Sequence, residues 1–310
     1  MHQAKNGQKQ KVTQQNRLIQ SFNQNIWKTK MKFAFITVNY NNYNLSINFV
    51  SSIMASKSIE QFSVDIIIVD NQSKNDEYTR LKEDLSDYAN VKVIQSKENK
   101  GYFNGLNCGI TQIDTNKYDY IIGGNNDIIF DRDFLLKLSR KDYPRKNTVI
   151  VPDVETITGV HQNPQYINIP SKMRRMGMRL YYSCYLAAIT IDCLFGFIRR
   201  KRKNNRKNKI MKLQEIFLCT GAIFLFRKDF FNHCGKLDDS VFLWGEEAVL
   251  AHQLYTSGDK MLYDPELHVT HLENATVKRI ASRTSYKLQR DSYKYYKNFL
   301  DEDPHTLNSL

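Results

Sequence analysis

An α/β fold on a mostly parallel sheet is predicted by short apolar runs that end in polar residues, by helical patterns between them, and by connections long enough to cross over a sheet. Strands are expected at Phe33–Val38, Val64–Val69, Val91–Gln95 and Tyr120–Gly123. Helices between them are expected near Leu45–Ala55, Asp76–Tyr88 and Tyr102–Ile113. The unbroken run Ile66-Ile67-Ile68-Val69 suits a strand covered on both faces. In such sheets ligands bind beyond the carboxyl ends of the strands, where Asn39, Asp70, Asn99 and Asn125 to Asp127 all fall.

A second block, Cys219–Gly258, reads as a strand over Ala222–Phe226, a short helix, an aromatic loop through Phe242-Leu243-Trp244, and a helix opening at Gly245-Glu246-Glu247. Extended stretches at Met261–Tyr263 and His268–His271 follow, then an aromatic, basic helix over roughly Tyr286–Leu300.

The chain has 310 residues, 41% of them hydrophobic, enough for a substantial core and unlike a disordered chain. Its five cysteines include no C-x-x-C pair, and an odd number argues for reduced thiols rather than a disulfide framework. The net charge of +13 is unevenly placed. Residues 1–30 carry six Lys/Arg and no acid, and residues 171–212 carry thirteen Lys/Arg against Asp192 alone, so the remainder is net acidic. Residues 1–30, rich in Gln, Asn and Lys and without apolar period, read as a loose basic tail, and Met31 as a possible translation start.

Arg179–Ile198 is apolar but contains Arg179, Asp192 and three tyrosines, and Arg199-Arg200-Lys201-Arg202-Lys203 follows it. A single crossing of a bilayer would leave the two blocks on opposite sides, so an in-plane amphipathic helix or a re-entrant hairpin is expected. Its basic run suits an anionic membrane surface, each such residue contributing roughly 1 kcal/mol. A soluble insertion with a solvated basic face is the plainer alternative. A nucleic-acid role is disfavoured, because no binding module or interleaved aromatics accompany the run.

Asp70 ends a buried strand, where a carboxylate can accept from a pyrimidine N–H or ribose hydroxyls, or can simply cap a turn. Gly101, Gly105 and Gly109 recur on one helical face, letting either a nucleotide or the sheet come close to the backbone. Asp127 can take a hard divalent cation that also binds diphosphate oxygens, since Mg²⁺ or Mn²⁺ commonly uses one or two protein carboxylates plus phosphate and water. Glu246 and Glu247 are one apart on a helix, about 100° around its axis, so only one can face the crevice. His268 and His271 face opposite ways on a strand, so their spacing is not that of a zinc pair, though one of them can join Asp127.

Taken in order, Thr37-Val38-Asn39-Tyr40-Asn41, Val69-Asp70-Asn71-Gln72-Ser73, Asn99-Lys100-Gly101-Tyr102-Phe103-Asn104-Gly105-Leu106-Asn107, Asn125-Asn126-Asp127, Thr220-Gly221-Ala222, Leu237-Asp238-Asp239, Phe242-Leu243-Trp244-Gly245-Glu246-Glu247 and His271 resemble bacterial family 2 inverting glycosyltransferases, rhamnosyltransferase-like enzymes of polysaccharide assembly in particular. The resemblance covers Phe33 to about His271. It implies the GT-A fold: a Rossmann-like nucleotide-binding half with a mostly parallel mixed sheet, joined to an acceptor-binding half. The domain would span 31–278, with the nucleotide-sugar half at 31–130, the membrane-associating insertion at 171–212, the acceptor and catalytic half at 213–278, and a C-terminal helix in 279–310.

The resemblance further implies that Thr37, Asn39, Asp70, Asn71, Asn99, Gly101, Asn104, Asn125 and Asn126 surround a UDP- or dTDP-sugar, and that Asp127 and His271 hold Mg²⁺ or Mn²⁺. Glu247 would be the base, with Glu246 as the alternative, while Asp238 and Trp244 would meet a saccharide or lipid-linked acceptor. Asn125 stands where the family's D-x-D has its first carboxylate, and Glu247 where relatives usually have Asp. The implied location is the cytoplasmic face of the cell membrane. A catalytically silent domain of the same fold, binding a sugar nucleotide or glycan, is the alternative, against which stands the joint presence of Asp127, Glu247 and His271. A nucleotidyltransferase would show a Gly-rich basic loop after the first strand, where Asn39-Tyr40-Asn41-Asn42-Tyr43 stands instead.

Overall fold

The computed structural model describes residues 30–205, 212–273 and 282–300. The basic tail and the end of the basic run, residues 206–211, lie outside them. In chain order the elements are β1 (Lys32–Asn39), α1 (Tyr43–Met54), β2 (Ser63–Asp70), α2 (Glu77–Asp84), β3 (Val91–Gln95), α3 (Tyr102–Ile110), β4 (Tyr120–Asn125), β5 (Ile128–Phe130) and α4 (Phe134–Leu138). There follow β6 (Asn147–Thr156), α5 (Lys172–Tyr181), α6 (Tyr185–Asn205), β7 (Gln214–Ile216), β8 (Ile223–Arg227), α7 (Lys228–Cys234), α8 (Glu246–Ser257), β9 (Lys260–His271) and α9 (Ser282–Tyr296).

One mixed sheet runs β3-β2-β1-β4-β8-β6-β9-β5, with β7 added on β9. β1 lies parallel to both β2 and β4, so the chain reverses its winding direction between β1 and β4. That switch point opens a crevice at the carboxyl ends of these strands, which carry Asn39 and Asn125. The two sequence blocks thus share a single sheet, joined where β8 pairs antiparallel with β4.

Each face of the sheet has its own core. On one side Phe35, Phe49, Phe130 and Phe134 meet edge to face, which seats α1 and α4. On the other, Ile36, Val69, Phe103, Leu106, Phe224, Phe226, Leu250 and Tyr263 form one buried cluster beneath α3 and α8. Burying each such side chain is worth roughly 1.5–3 kcal/mol. Gly105 and Gly109 belong to this packing: a Cβ on Gly109 would sit 2.4 Å from Ile36 Cγ2, and one on Gly105 2.8 Å from Val38 Cγ2. Of the two uses open to that glycine face, close approach to the sheet is the one these two residues serve.

Two departures from expectation share one cause. β6 was not expected, because Pro152 interrupts its apolar run, and β9 was expected as two separate pieces. The strands pair in parallel with a register shift between Pro152 and Asp153, where partner positions jump from Asp264 to His268. Proline, unable to donate to the ladder, is accommodated at this irregularity.

The segment expected as an in-plane amphipathic helix or a re-entrant hairpin is a helix pair, α5 and α6, broken at Tyr182–Cys184. No helix among the described residues is long and apolar enough to cross a membrane. Met173, Met176, Leu180, Leu186, Leu194 and Phe195 are all exposed on this pair.

Candidate active site

The crevice floor is a buried polar lattice. Asn39 is its hub: the amide Nδ2 donates to Asp70 Oδ2 (3.0 Å), Ser73 Oγ (3.1 Å) and Glu77 Oε2 (2.9 Å), and Oδ1 accepts from Ser46 and Asn126. Asp70 also accepts from the Ser73 N–H and from Gln95. Thr37 donates to the Gly124 carbonyl, and Asn71 donates to Asn99 Oδ1 and accepts from Ser96. The donors satisfying these groups all come from the chain. Thr37, Asn39, Asp70, Asn71 and Asn126 are buried, so they shape and stiffen the strand ends, while Asn99, Asn104 and Asn125 remain partly open. An unsatisfied carboxylate here would cost several kcal/mol, and the internal partners of Asp70 remove that cost.

The approach to Gly101 expected for a nucleotide is taken by the chain. Gly101 has φ +105°, and a Cβ there would lie 2.2 Å from the Phe242 carbonyl oxygen, which accepts from the Tyr102 N–H at 3.2 Å. A second tie is polar: Asn107 exchanges hydrogen bonds with the backbone of Leu237, and Asn104 donates to Asp239 at 2.7 Å. Burial pushes the Asp239 carboxyl up, but donors from Asn104 and Lys236 outweigh it and hold the group below its usual value. Asp238 accepts from Tyr295 and from the Ser240 N–H. The loop Leu237–Gly245 is therefore fastened to α3 on one side and α9 on the other.

That loop ends in strained backbone. Trp244 holds φ +63°, rare for a bulky side chain and worth about 1–2 kcal/mol of strain, followed by Gly245 at φ +103°. Ser292 donates to the Leu243 carbonyl, and the Tyr296 ring lies where a Cβ on Gly245 would stand, 2.6 Å from Cε1. The turn delivers Glu246 and Glu247 as the first residues of α8.

Their environments differ. Glu246 is buried with Oε1 unpartnered, and burial followed by the charge of Glu247 raises its pKa to about 8. Glu247 is partly open to solvent, and Oε2 faces Gly221, 3.4 Å from where that residue's Cβ would be. Its pKa too is raised by burial, against the pull of the backbone N–H groups that open the helix. Cys219, a buried free thiol pushed well above its normal range by burial and by Glu247, helps line this side.

The pair expected to hold metal is Asp127 and His271. His271 Nε2 lies 3.1 Å from Asp127 Oδ1, yet without hydrogen-bond geometry, and both carboxylate oxygens and Nε2 lack partners although buried. His271 Nδ1 lies 2.8 Å from Gln162 Oε1, and Gln162 Nε2 donates to Glu273. With its proton on Nδ1, the imidazole turns its Nε2 lone pair toward Asp127. A separation near 3 Å is the edge of an octahedron with ligands at about 2.1 Å, so the orphaned pair fits Mg²⁺ or Mn²⁺. No cluster of three or more His, Cys, Asp or Glu among the described residues could hold a metal.

His268 points away, between Asp131 (3.0 Å) and Glu155 (3.1 Å), as strand alternation requires. Sequence reasoning missed Tyr102 and Gln162. The Tyr102 hydroxyl is buried and unpartnered, and its pKa is raised by burial and then by the charges of Glu246 and Asp127. Tyr102 lay inside a motif already singled out, whereas nothing near Gln162 marked it.

Residues 34–235 match the model of glycosyl transferase family 2, more than half of the chain. No curated protein matches the sequence significantly. Among solved structures, GalNAc-T7 with UDP, GalNAc and Mn2+ is similar at a TM-score of 0.57 and 15% identity, over 89% of this chain and 50% of that one. S. aureus TarS 1-349 is similar at 0.51 and 10% identity, over 86% and 72%, and its complex with UDP at 0.50 and 10%, over 77% and 60%. The chain thus spans half the length of the GalNAc-T7 chain. At such identities the structural likeness establishes the α/β fold with a mostly parallel mixed sheet, the GT-A fold; with the sequence match, the chain belongs to glycosyl transferase family 2.

Proposed function

We propose that the protein transfers a sugar from a UDP- or dTDP-sugar to a hydroxyl of a saccharide or lipid-linked acceptor, with inversion, in assembly of a cell-surface polysaccharide. The observation that carries this reading is the buried, unpartnered Asp127–His271 pair, with the buried Tyr102 hydroxyl feeling the charges of both Asp127 and Glu246. The donor occupies the β1–β4 side, contacting the open Asn99, Asn104 and Asn125 above the floor that Thr37, Asn39, Asp70, Asn71 and Asn126 stiffen. Asp238 and Trp244 lie on the acceptor side.

Glu247, the more accessible carboxylate, takes the acceptor hydroxyl proton as that oxygen bonds to the anomeric carbon. The bond from that carbon to the diphosphate breaks on the opposite face, inverting the centre. Asp127 and His271 would hold a divalent cation, which would offset the charge on the departing diphosphate. Glu246, raised to about 8 by burial and by its neighbour, stays largely neutral near pH 7 and spares Glu247 a second adjacent charge.

Peripheral attachment to the inner face of the cell membrane is supported by the exposed Met173, Met176, Leu180, Leu186, Leu194 and Phe195, and by the basic run that follows them in sequence.

The test is a screen of UDP-, dTDP- and GDP-sugars with Mg²⁺ or Mn²⁺, read as nucleoside diphosphate release. Release from one donor, abolished in Glu247→Gln and Asp127→Ala, is expected. Donor binding without turnover, even with membrane lipid extract as acceptor, would establish a silent sugar-nucleotide-binding domain instead.

A further inference from the structure

The chain does not leave β9 freely after His271. The Leu272 N–H donates to the Asp127 carbonyl at 3.0 Å, and Glu273 then turns with φ +51°, a left-handed conformation that residues other than glycine seldom hold. Its carboxylate meets a side chain 111 residues earlier, Gln162, whose Nε2 donates to Glu273 Oε1 at 3.1 Å. Gln162 Oε1 in turn lies 2.8 Å from His271 Nδ1. A carboxylate, a carboxamide and an imidazole therefore stand in file behind His271 Nε2, which lies 3.1 Å from Asp127 Oδ1. Backbone held in a sparsely populated region at the end of such a file points to a functional demand.

We propose that Glu273 is a positioning residue for the Asp127–His271 pair: acting through the Gln162 amide, it fixes the imidazole as the Nδ1–H tautomer and leaves the Nε2 lone pair to a divalent cation. The proposal deepens the transferase reading and rests on it for the cation.

An ionised carboxylate only accepts hydrogen bonds, so the end of the Gln162 amide that meets Glu273 is the NH₂. The other end, the carbonyl oxygen, also only accepts, so the imidazole nitrogen 2.8 Å from it carries a proton. A neutral ring has one proton to place, and with it on Nδ1 the other nitrogen is bare. Without Glu273 the amide is free to turn over. Its NH₂ then faces Nδ1, which moves the ring proton to Nε2 and sets an N–H where the cation would bind. Each group in the file is thus decided by the one behind it, and Glu273 is the member whose polarity needs no neighbour.

The middle of the file is held from its own side. Gln162 donates its backbone N–H to the Val154 carbonyl at 2.8 Å, and the neighbouring His161 lies 2.8 Å from the buried Asp153. Thr156 and Val160 close the intervening turn, and Thr156 is the register partner of His271 in the parallel pairing of β6 with β9. With the backbone of Gln162 fixed in this way, the turning over of its amide is the freedom that Glu273 removes.

The experiment uses the full chain with nitrogen-labelled histidine. Ring nitrogen shifts of His271, assigned through His271→Gln and read with the ring neutral and no metal, report the tautomer, and calorimetry with Mn²⁺ alone reports affinity. The native chain is expected to show the Nδ1–H form. Glu273→Gln offers the amide a partner that donates as well as accepts, and is expected to show both tautomers and to bind Mn²⁺ about tenfold more weakly. Combining Gln162→Glu with Glu273→Gln exchanges the two groups, setting the carboxylate against Nδ1 and the amide behind it. This exchange is expected to restore the Nδ1–H form, with Mn²⁺ affinity within about threefold of native. Glu273 is partly exposed, so its variants are expected to fold. An Nε2–H form in the native chain, an unchanged tautomer or Mn²⁺ affinity in Glu273→Gln, or an exchange that fails to restore both overturns the role of Glu273, while Mn²⁺ binding by the native chain leaves the transferase reading in place. A native chain without Mn²⁺ binding overturns the metal-assisted transferase reading and the proposal together.

Discussion

His271 and Asp127 approach to 3.1 Å across the antiparallel pairing of β9 with β5, yet neither satisfies the other. Two buried groups left in that condition cost several kcal/mol unless a third party meets both. Asp127→Asn and His271→Ala are therefore expected to lower Mn²⁺ affinity at least about tenfold, read by calorimetry, and to lower donor turnover about a hundredfold or more. Gln162→Ala frees the imidazole tautomer and is expected to weaken Mn²⁺ binding about tenfold. Metal affinity unchanged in all three would dissociate the pair from metal binding.

The two carboxylates opening α8 are expected to separate in kinetics. Glu247→Gln is expected to lower kcat by about 10²–10⁴ with donor affinity retained, the range for loss of a general base. Glu246→Gln keeps a neutral, isosteric group where the native one is largely protonated, so its kcat at pH 7 is expected to stay within about tenfold. The reverse pattern would transfer the role to Glu246.

Stability is expected to fall with rising pH because of Glu246. Its folded pKa is raised to about 8, above the unfolded carboxylate value, so the folded chain binds the extra proton. The contribution is fully present below the unfolded pKa and is lost as pH rises through about 8. Urea unfolding between pH 5 and 8 is expected to show declining stability, with a shallower decline in Glu246→Gln, where Glu247, also raised by burial, keeps its own share. An unchanged slope in that variant would place the titrating group elsewhere.

Gly109→Ala places a methyl 2.4 Å from Ile36 Cγ2 and 3.1 Å from Val69 Cγ2. The gain in helix propensity, about 1 kcal/mol, is expected to be outweighed, for a net destabilisation of about 1–2 kcal/mol in chemical unfolding. A second change, Ile36→Val, is expected to restore part of the loss. A stabilised Gly109→Ala would show that α3 can lift from the sheet at no cost.

Local sequence carried the parallel half of the fold: β1, β2, β3 and β4 lie within a residue or two of expectation, because continuous apolar runs and their polar ends are local signals. The pairing of β6 with β9 was hidden, since Pro152 breaks the local pattern and only the partner strand's irregularity explains how it fits. Among candidate site residues, the nearness of Asp127 to His271 was anticipated, while Gln162 depends on a contact 109 residues away and left no local trace. The glycine stripe was legible as a demand for close approach but not for what approaches: sheet side chains at Gly105 and Gly109, and a loop carbonyl at Gly101.

The loop from Leu237 to Gly245 is gripped by Asn104 and Asn107 at one margin, and by Ser292, Tyr295 and Tyr296 at the other. Whatever settles against α3 and whatever settles against α9 press on the same short span of backbone, already wound tight at Trp244. Such a strap gives both margins one shared span of backbone. By linkage, any help the first visitor gives the second is returned in equal measure, whichever arrives first.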